Sequence, residues 1–135
     1  MRPTALRLVL GSAFFLSASP LAAHHSFDAT YAMSEKVTIE GDVERVFYRN
    51  PHSFLRLKGK VPGTDEVIIW AVEWNGANRL GREGVTGESL RTGDHVVVTG
   101  QPGRQSQKYR GHRLLLESVQ RPADGWNWHR GRRFD

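Results

Sequence analysis

The stretch EVIIWAVEWNGANRLGREG, residues 66–84, decides the fold because the pattern of apolar residues changes within it. Residues 66–74 are rich in β-branched and aromatic side chains, which predicts a buried strand. The period of two is then lost, and residues 78–83 predict a short helix. The number of strands on either side of this strand–helix junction therefore determines the architecture.

Two predicted strands lie before the junction and two lie after it. Residues 37–48 and 53–61 alternate apolar and polar side chains, with an expected bulge or bend at Gly41, and residues 95–100 and 112–119 repeat the pattern. Three strands, a small helix and two strands is the order of an OB-fold. We therefore predict an all-β fold, a small five-stranded OB-like barrel with one short helix between strands three and four. The alternative is another small β-barrel or a sandwich.

Residues 1–23 have the three parts of a secretory signal peptide. Arg2 and Arg7 precede an apolar run, and small residues lead to a cleavage site after Ala22 or Ala23. The run is shorter than the roughly 20 apolar residues that a spanning helix needs. We therefore expect a periplasmic or secreted protein with no integral membrane segment after cleavage. An uncleaved membrane anchor is the alternative.

The remaining sequence divides into an N-terminal histidine-containing segment (24–36), the barrel (37–121) and a basic aromatic tail (122–135). The chain has no cysteine, so disulfides and cysteine-based metal sites are excluded. The formal net charge is +5. The leader contains two arginines and no acidic residue, so its removal lowers the net charge to +3. Since much of this excess lies in the tail, the composition does not indicate a nucleic-acid partner.

The first residues that cleavage would expose form a candidate metal site for copper or nickel. A mature chain that begins at Ala23 places His25 third, where the amine, two backbone amides and the imidazole form the square-planar nitrogen site preferred by Cu(II) and Ni(II). A chain that begins at His24 chelates the metal through its amine and ring. His52, in the turn between strands one and two, is the predicted third ligand, and the alternative is a histidine that only stabilises this turn.

A second group of candidate residues lies where strand three meets the helix and faces the turn before strand two. Trp70 is expected in the core, whereas both burial and exposure are open for Trp74 beside the loop. An exposed ring could stack on a sugar or base. Glu73 and Arg79 are expected to form an ion pair. OB barrels bind ligands at this rim. The predicted ligand-binding residues are Asn50, Trp74, Asn75, Asn78 and Arg79.

No complete catalytic constellation is found in the sequence. There is no cysteine, no G-x-S-x-G elbow and no phosphate-binding glycine loop. We therefore predict a non-enzymatic binding module for a metal ion or small ligand, with no catalytic residues. The alternatives are a carbohydrate-binding OB-fold, an accessory subunit that contacts another periplasmic protein, and an enzyme that uses a copper-bound N-terminal histidine.

An ordered set of motifs along the chain resembles DUF6152, a family of exported proteobacterial proteins of unknown function. The resemblance implies export and a small barrel but no activity. The chain departs from the family pattern at Gly84-Val85, where the pattern has Gly-Trp. The motifs are Ala23-His24-His25-Ser26-Phe27, Asn50-Pro51-His52-Ser53, Trp70-Ala71-Val72-Glu73, Asn78-Arg79-Leu80 and the segment 90–100.

Metal titration of the correctly processed chain tests the N-terminal site. Once intact-mass analysis has established the mature start, we expect Cu(II) to bind the processed chain more tightly than a chain that carries an extra N-terminal Met-Gly. The extension removes the α-amine from its position beside the histidines. Equal affinity of the two chains for Cu(II) would contradict an amine-based site.

Overall fold

Alternating apolar and polar residues produce antiparallel strands in this chain, as the sequence predicts. The computed structural model of the protein describes residues 24–104 and 112–131, with side chains from residue 27 onward. Within these ranges neither helix has the length and apolar composition to cross a bilayer. In chain order the elements are α1 (His24–Thr30), β1 (Val37–Phe47), β2 (His52–Lys60), β3 (Val67–Asn75), α2 (Ala77–Arg82), β4 (His95–Pro102), β5 (Arg113–Arg121) and β6 (Trp126–His129).

The sheet closes on itself and forms a five-stranded barrel. Its order is β3-β2-β1-β4-β5-β6, and β3 also pairs with β5. This closing contact is parallel, with Val72 opposite Leu114 and Glu73 opposite Leu115. The predicted all-β barrel with a short helix between strands three and four is thereby confirmed, and β6 is an additional strand on β5.

The barrel interior is filled by the inward-facing residues of every strand. On β3, Trp70, Val72 and Trp74 are buried on the same face, since alternate residues of a strand point the same way. Trp70 is 5% exposed, which confirms its expected place in the core, and Trp74, for which burial and exposure were both open, is 3% exposed. The outward face of β3 carries Glu73 and Asn75, and the candidate site is built on that face.

Two close strand contacts require glycine. A Cβ on Gly41 would lie 2.3 Å from the Lys58 carbonyl oxygen. A bulge or bend was expected at Gly41. The register of β1 against β2 shifts between Val43 and Arg45 instead. At the second contact, a Cβ on Gly100 would lie 2.1 Å from the Leu115 carbonyl oxygen, beside the shift between β4 and β5.

The tail contributes to the core, and its two tryptophans lie on a strand that extends the sheet beside β5. Residues 126–129 form β6, and Trp128 is 1% exposed. The Trp128 ring meets Trp74 edge to face at 5.3 Å, and its Nε1 donates to Glu83 Oε2 at 2.8 Å. The tail beyond 131, the leader 1–23 and the loop residues 105–111 lie outside the described residues.

Replacing single glycines with alanine tests these backbone contacts. We expect Gly100→Ala to destabilise the protein by about 1–3 kcal/mol, because β4 must move away from Leu115. The matched control is Gly81→Ala in α2, where the nearest atom to the new Cβ is the Tyr48 hydroxyl oxygen at 3.5 Å. Helix propensity predicts that this control stabilises the protein by up to about 1 kcal/mol. Chemical denaturation that gives equal unfolding free energies for both variants would contradict the close contact.

Candidate functional site

The loop between β1 and β2 is held directly against the start of α2. The Asn50 side-chain oxygen accepts a hydrogen bond from the Asn78 amide at 3.0 Å, and the Arg49 carbonyl accepts one from the Ala77 amide at 3.0 Å. A Cβ on Gly76 would lie 2.4 Å from the Pro51 carbonyl oxygen, so only glycine allows this approach. Residues from two distant parts of the chain therefore form one wall.

This wall borders a cavity of about 390 Å³ at the rim of the barrel. All five residues predicted to bind a ligand line it, and so does His52. Six further lining residues were not among the predicted ligand or metal residues, namely Phe27, Pro51, Gly76, Arg82, Leu115 and Arg130. The complete lining is Phe27, Asn50, Pro51, His52, Trp74, Asn75, Gly76, Asn78, Arg79, Arg82, Leu115 and Arg130.

Three arginines give this cavity a positive character, and no carboxylate lines it within the part of the chain that the structure describes. Arg79 pairs with Glu83, its Nε lying 3.0 Å from Oε1. The exposed Arg82 side chain has no partner among the described residues. Arg130 is half-buried, and burial lowers its pKa from the usual value. It nevertheless remains charged at neutral pH, since a guanidinium titrates far above this range.

Several donors at the cavity lack an acceptor. Within the described ranges, no hydrogen-bond partner is found for the buried Asn75 Nδ2, Trp74 Nε1 and Arg130 Nε. Leaving a buried donor unpaired costs about 1–3 kcal/mol, so native structures rarely leave such groups without water or a ligand. All three residues line the cavity, although the three atoms themselves are buried, and Trp70 Nε1 in the core is unpaired as well.

Behind the cavity wall, the Glu73 carboxylate holds His52 in place. Glu73 Oε1 lies 2.7 Å from His52 Nδ1, and the Tyr31 hydroxyl donates to Oε2. Arg113 Nη2 is 3.8 Å from the same Oε2. The predicted ion pair between Glu73 and Arg79 is therefore wrong. Glu73 projects from the outward face of β3 toward Tyr31, whereas Arg79 lies one turn into α2 beside Glu83.

Helix α1 covers His52 from outside the barrel. The Phe27 ring lies 5.8 Å from the His52 ring and 6.4 Å from the Tyr31 ring. The two predicted metal ligands His24 and His25 belong to α1, but their side chains lie outside the described part of the structure. Among side chains that are described, no group of three or more His, Cys, Asp or Glu residues is placed to hold a metal ion.

The other described histidines lie away from this cavity. His95, exposed at the start of β4, bonds Glu40 through Nε2 and Asp42 through Nδ1, and these hydrogen bonds raise its pKa. His112 meets the Trp70 ring edge to face at 5.8 Å. His129 lies on β6.

A larger depression of about 590 Å³ lies along β4, β5 and β6. It is lined by short polar side chains such as Thr99, Ser118 and Asn127, and it shares Arg130 with the rim cavity. It contains none of the predicted ligand-binding residues. We regard the smaller cavity as the candidate site because it collects the arginines and the unpaired donors.

The fold and the cavity together define a small closed β-barrel with a basic, donor-rich recess at one rim. The model of DUF6152, a family of unknown function, matches residues 13–112, and the chain belongs to this family. The match includes the whole cavity lining except Leu115 and Arg130. Comparison with curated proteins and with solved structures found no match.

Removal of the Glu73 side chain tests how His52 is held. We expect Glu73→Ala to lower the unfolding free energy by about 1–3 kcal/mol, because Tyr31 and His52 lose the acceptor they share. The control Glu44→Ala removes an exposed carboxylate paired with Arg56 and should cost about 0–1 kcal/mol. Denaturation and the imidazole nitrogen chemical shifts of His52 provide the measurements. Equal losses of stability, with unchanged His52 shifts, would contradict the role of Glu73.

Proposed function

We propose that this protein is an exported binding module that holds a small organic anion in the rim cavity. The observation that carries the proposal is the lining itself, which contains three arginines and, among the described residues, no aspartate or glutamate. Guanidinium groups bind carboxylates and phosphates with paired hydrogen bonds.

The charges near the cavity support an anion over a neutral ligand. Glu83 partly neutralises Arg79, whereas the Arg82 side chain has no acidic partner within the described residues. Glu73 is engaged by Tyr31, His52 and Arg113 behind the wall. An incoming anion therefore meets excess positive charge. Because Arg79 and Arg82 are exposed, we expect modest affinity, with a dissociation constant between about 1 µM and 1 mM.

Export rests on the composition of residues 1–23, which lie outside the described residues. The basic start, apolar run and small residues before Ala22 and Ala23 support a periplasmic or secreted location. A carbohydrate ligand has less support, since Trp70 and Trp74 are buried and offer no exposed ring for stacking. No described contact favours an accessory-subunit role.

Binding of Cu(II) or Ni(II) by the processed N-terminus is the second candidate. Helix α1, which begins at His24, contacts His52 through Phe27. In many metal sites the ligand histidine donates the hydrogen of its other ring nitrogen to a carboxylate, and His52 is placed in this way beside Glu73. The arginines at the same cavity repel a divalent cation, so we rank the anion first. The titration of processed and extended chains described above tests this candidate.

Calorimetric titration with succinate and inorganic phosphate at low ionic strength tests the anion site. We expect at least one of these anions to bind, and Arg82→Gln to weaken its binding about three- to tenfold because one charge-assisted hydrogen bond is lost. Added salt should weaken binding further.

The control for this titration is Arg91→Gln, which removes an exposed arginine that pairs with Glu88 and does not line the cavity. It should leave the affinity for succinate and phosphate unchanged. Absence of binding by both anions, or equal weakening in the two variants, would overturn the proposal.

A further inference from the structure

We propose that the rim cavity selects hydroxycarboxylates, small organic acids that carry a hydroxyl group beside the carboxylate, and that His52 Nε2 accepts the hydrogen bond of this hydroxyl. The inference rests on the proposed anion site and names its ligand class. It depends on the way Glu73 fixes one face of the imidazole.

The hydrogen on the His52 ring is placed by its partner. Glu73 Oε2 accepts from the Tyr31 hydroxyl, and Oε1 lies 2.7 Å from His52 Nδ1. An ionised carboxylate only accepts hydrogen bonds, so Nδ1 carries the hydrogen. In the neutral imidazole the other nitrogen, Nε2, is then an acceptor. The ring lines the cavity and its side chain is 39% exposed, which leaves it open to a ligand.

This acceptor lies among groups that bind anions. The guanidinium groups of Arg79, Arg82 and Arg130 line the same recess and take the carboxylate. A plain carboxylate offers only acceptors and leaves His52 Nε2 without a partner. A hydroxyl on the adjacent carbon supplies the missing donor and also accepts a hydrogen bond from a neighbouring amide. The combination of fixed acceptor and surrounding donors matches the hydroxycarboxylate group.

The volume of the cavity and the apolar part of its lining limit the size and the carbon skeleton of the ligand. A volume of about 390 Å³ lies near the lower end of the roughly 300–1,000 Å³ of small-molecule sites. Phe27, Pro51 and Leu115 provide carbon surface for a short skeleton. The geometry therefore suits an acid of a few carbons and not a long lipid or a polymer.

Malate and succinate are the matched probes, since they differ by one hydroxyl. Calorimetry should give about three- to tenfold tighter binding of malate than of succinate by the full processed chain. His52→Phe keeps a ring against Phe27 and removes the acceptor. We expect this variant to lose the preference for malate, so that the ratio of its malate and succinate affinities approaches one.

A variant-free measurement covers the case in which His52→Phe fails to fold. Methoxysuccinate, in which the malate hydroxyl is methylated, can accept but not donate, so it should bind the unaltered protein no better than succinate. Equal binding of malate and succinate overturns this inference and leaves the anion site standing. A preference for malate that persists in His52→Phe, or that extends to methoxysuccinate, also overturns it. Binding of neither acid nor of phosphate overturns the proposed function itself.

Discussion

The buried carboxylate of Glu73 is the interaction on which the arrangement of the site depends. It joins Tyr31 from the segment after α1, His52 from the start of β2 and Arg113 from β5, three parts of the chain that are far apart in sequence. Burying a carboxylate is costly unless hydrogen-bond donors replace the water it loses. The requirement for these donors fixes the N-terminal segment against the barrel wall and orients the imidazole beside the cavity.

The barrel and the site are coupled because one strand serves both. On β3, Trp70, Val72 and Trp74 face the core. Glu73 and Asn75 alternate with them along the strand and face outward, where the site lies. A shift of β3 by one residue would exchange these faces and bury the carboxylate in the apolar interior. The pairings of β3 with β2 and with β5 therefore define the core and also set the position of the polar groups.

The strands were readable from the sequence because alternation with a period of two is a local property. The lining contributed by β3, α2 and the Asn50-Pro51-His52 loop was predictable for a similar reason, since that loop and the helix lie at the same rim of an OB-like barrel. Arg130 was not predictable in this way, because it reaches the cavity only after β6 pairs with β5. The short alternation of Trp126 and Trp128 was the one local signal for that strand.

The error over Glu73 has a physical origin. Closeness in sequence suggested Arg79 as its partner, yet the strand directs Glu73 outward while α2 places Arg79 beside Glu83. The true partners Tyr31 and His52 are separated from Glu73 by 42 and 21 positions, and no local pattern signals them. Contacts that depend on barrel closure are set by the tertiary structure, and a single sequence carries no direct record of them.

The start of α1 connects processing of the chain with the charge of the cavity. His24 lies three residues before Phe27, which is about 4.5 Å along a helix axis, and Phe27 packs against His52. On the proposed export route, cleavage after Ala23 would place the α-amine of His24 within about one helical turn of this contact. That amine adds positive charge to the end of the barrel that already carries Arg79, Arg82 and Arg130. Either cleavage leaves a positively charged α-amine, which favours binding of an anion. Metal binding depends on which residue becomes the first, because the ligands differ. The proposed anion site is therefore less sensitive to the position of the cleavage than the metal site.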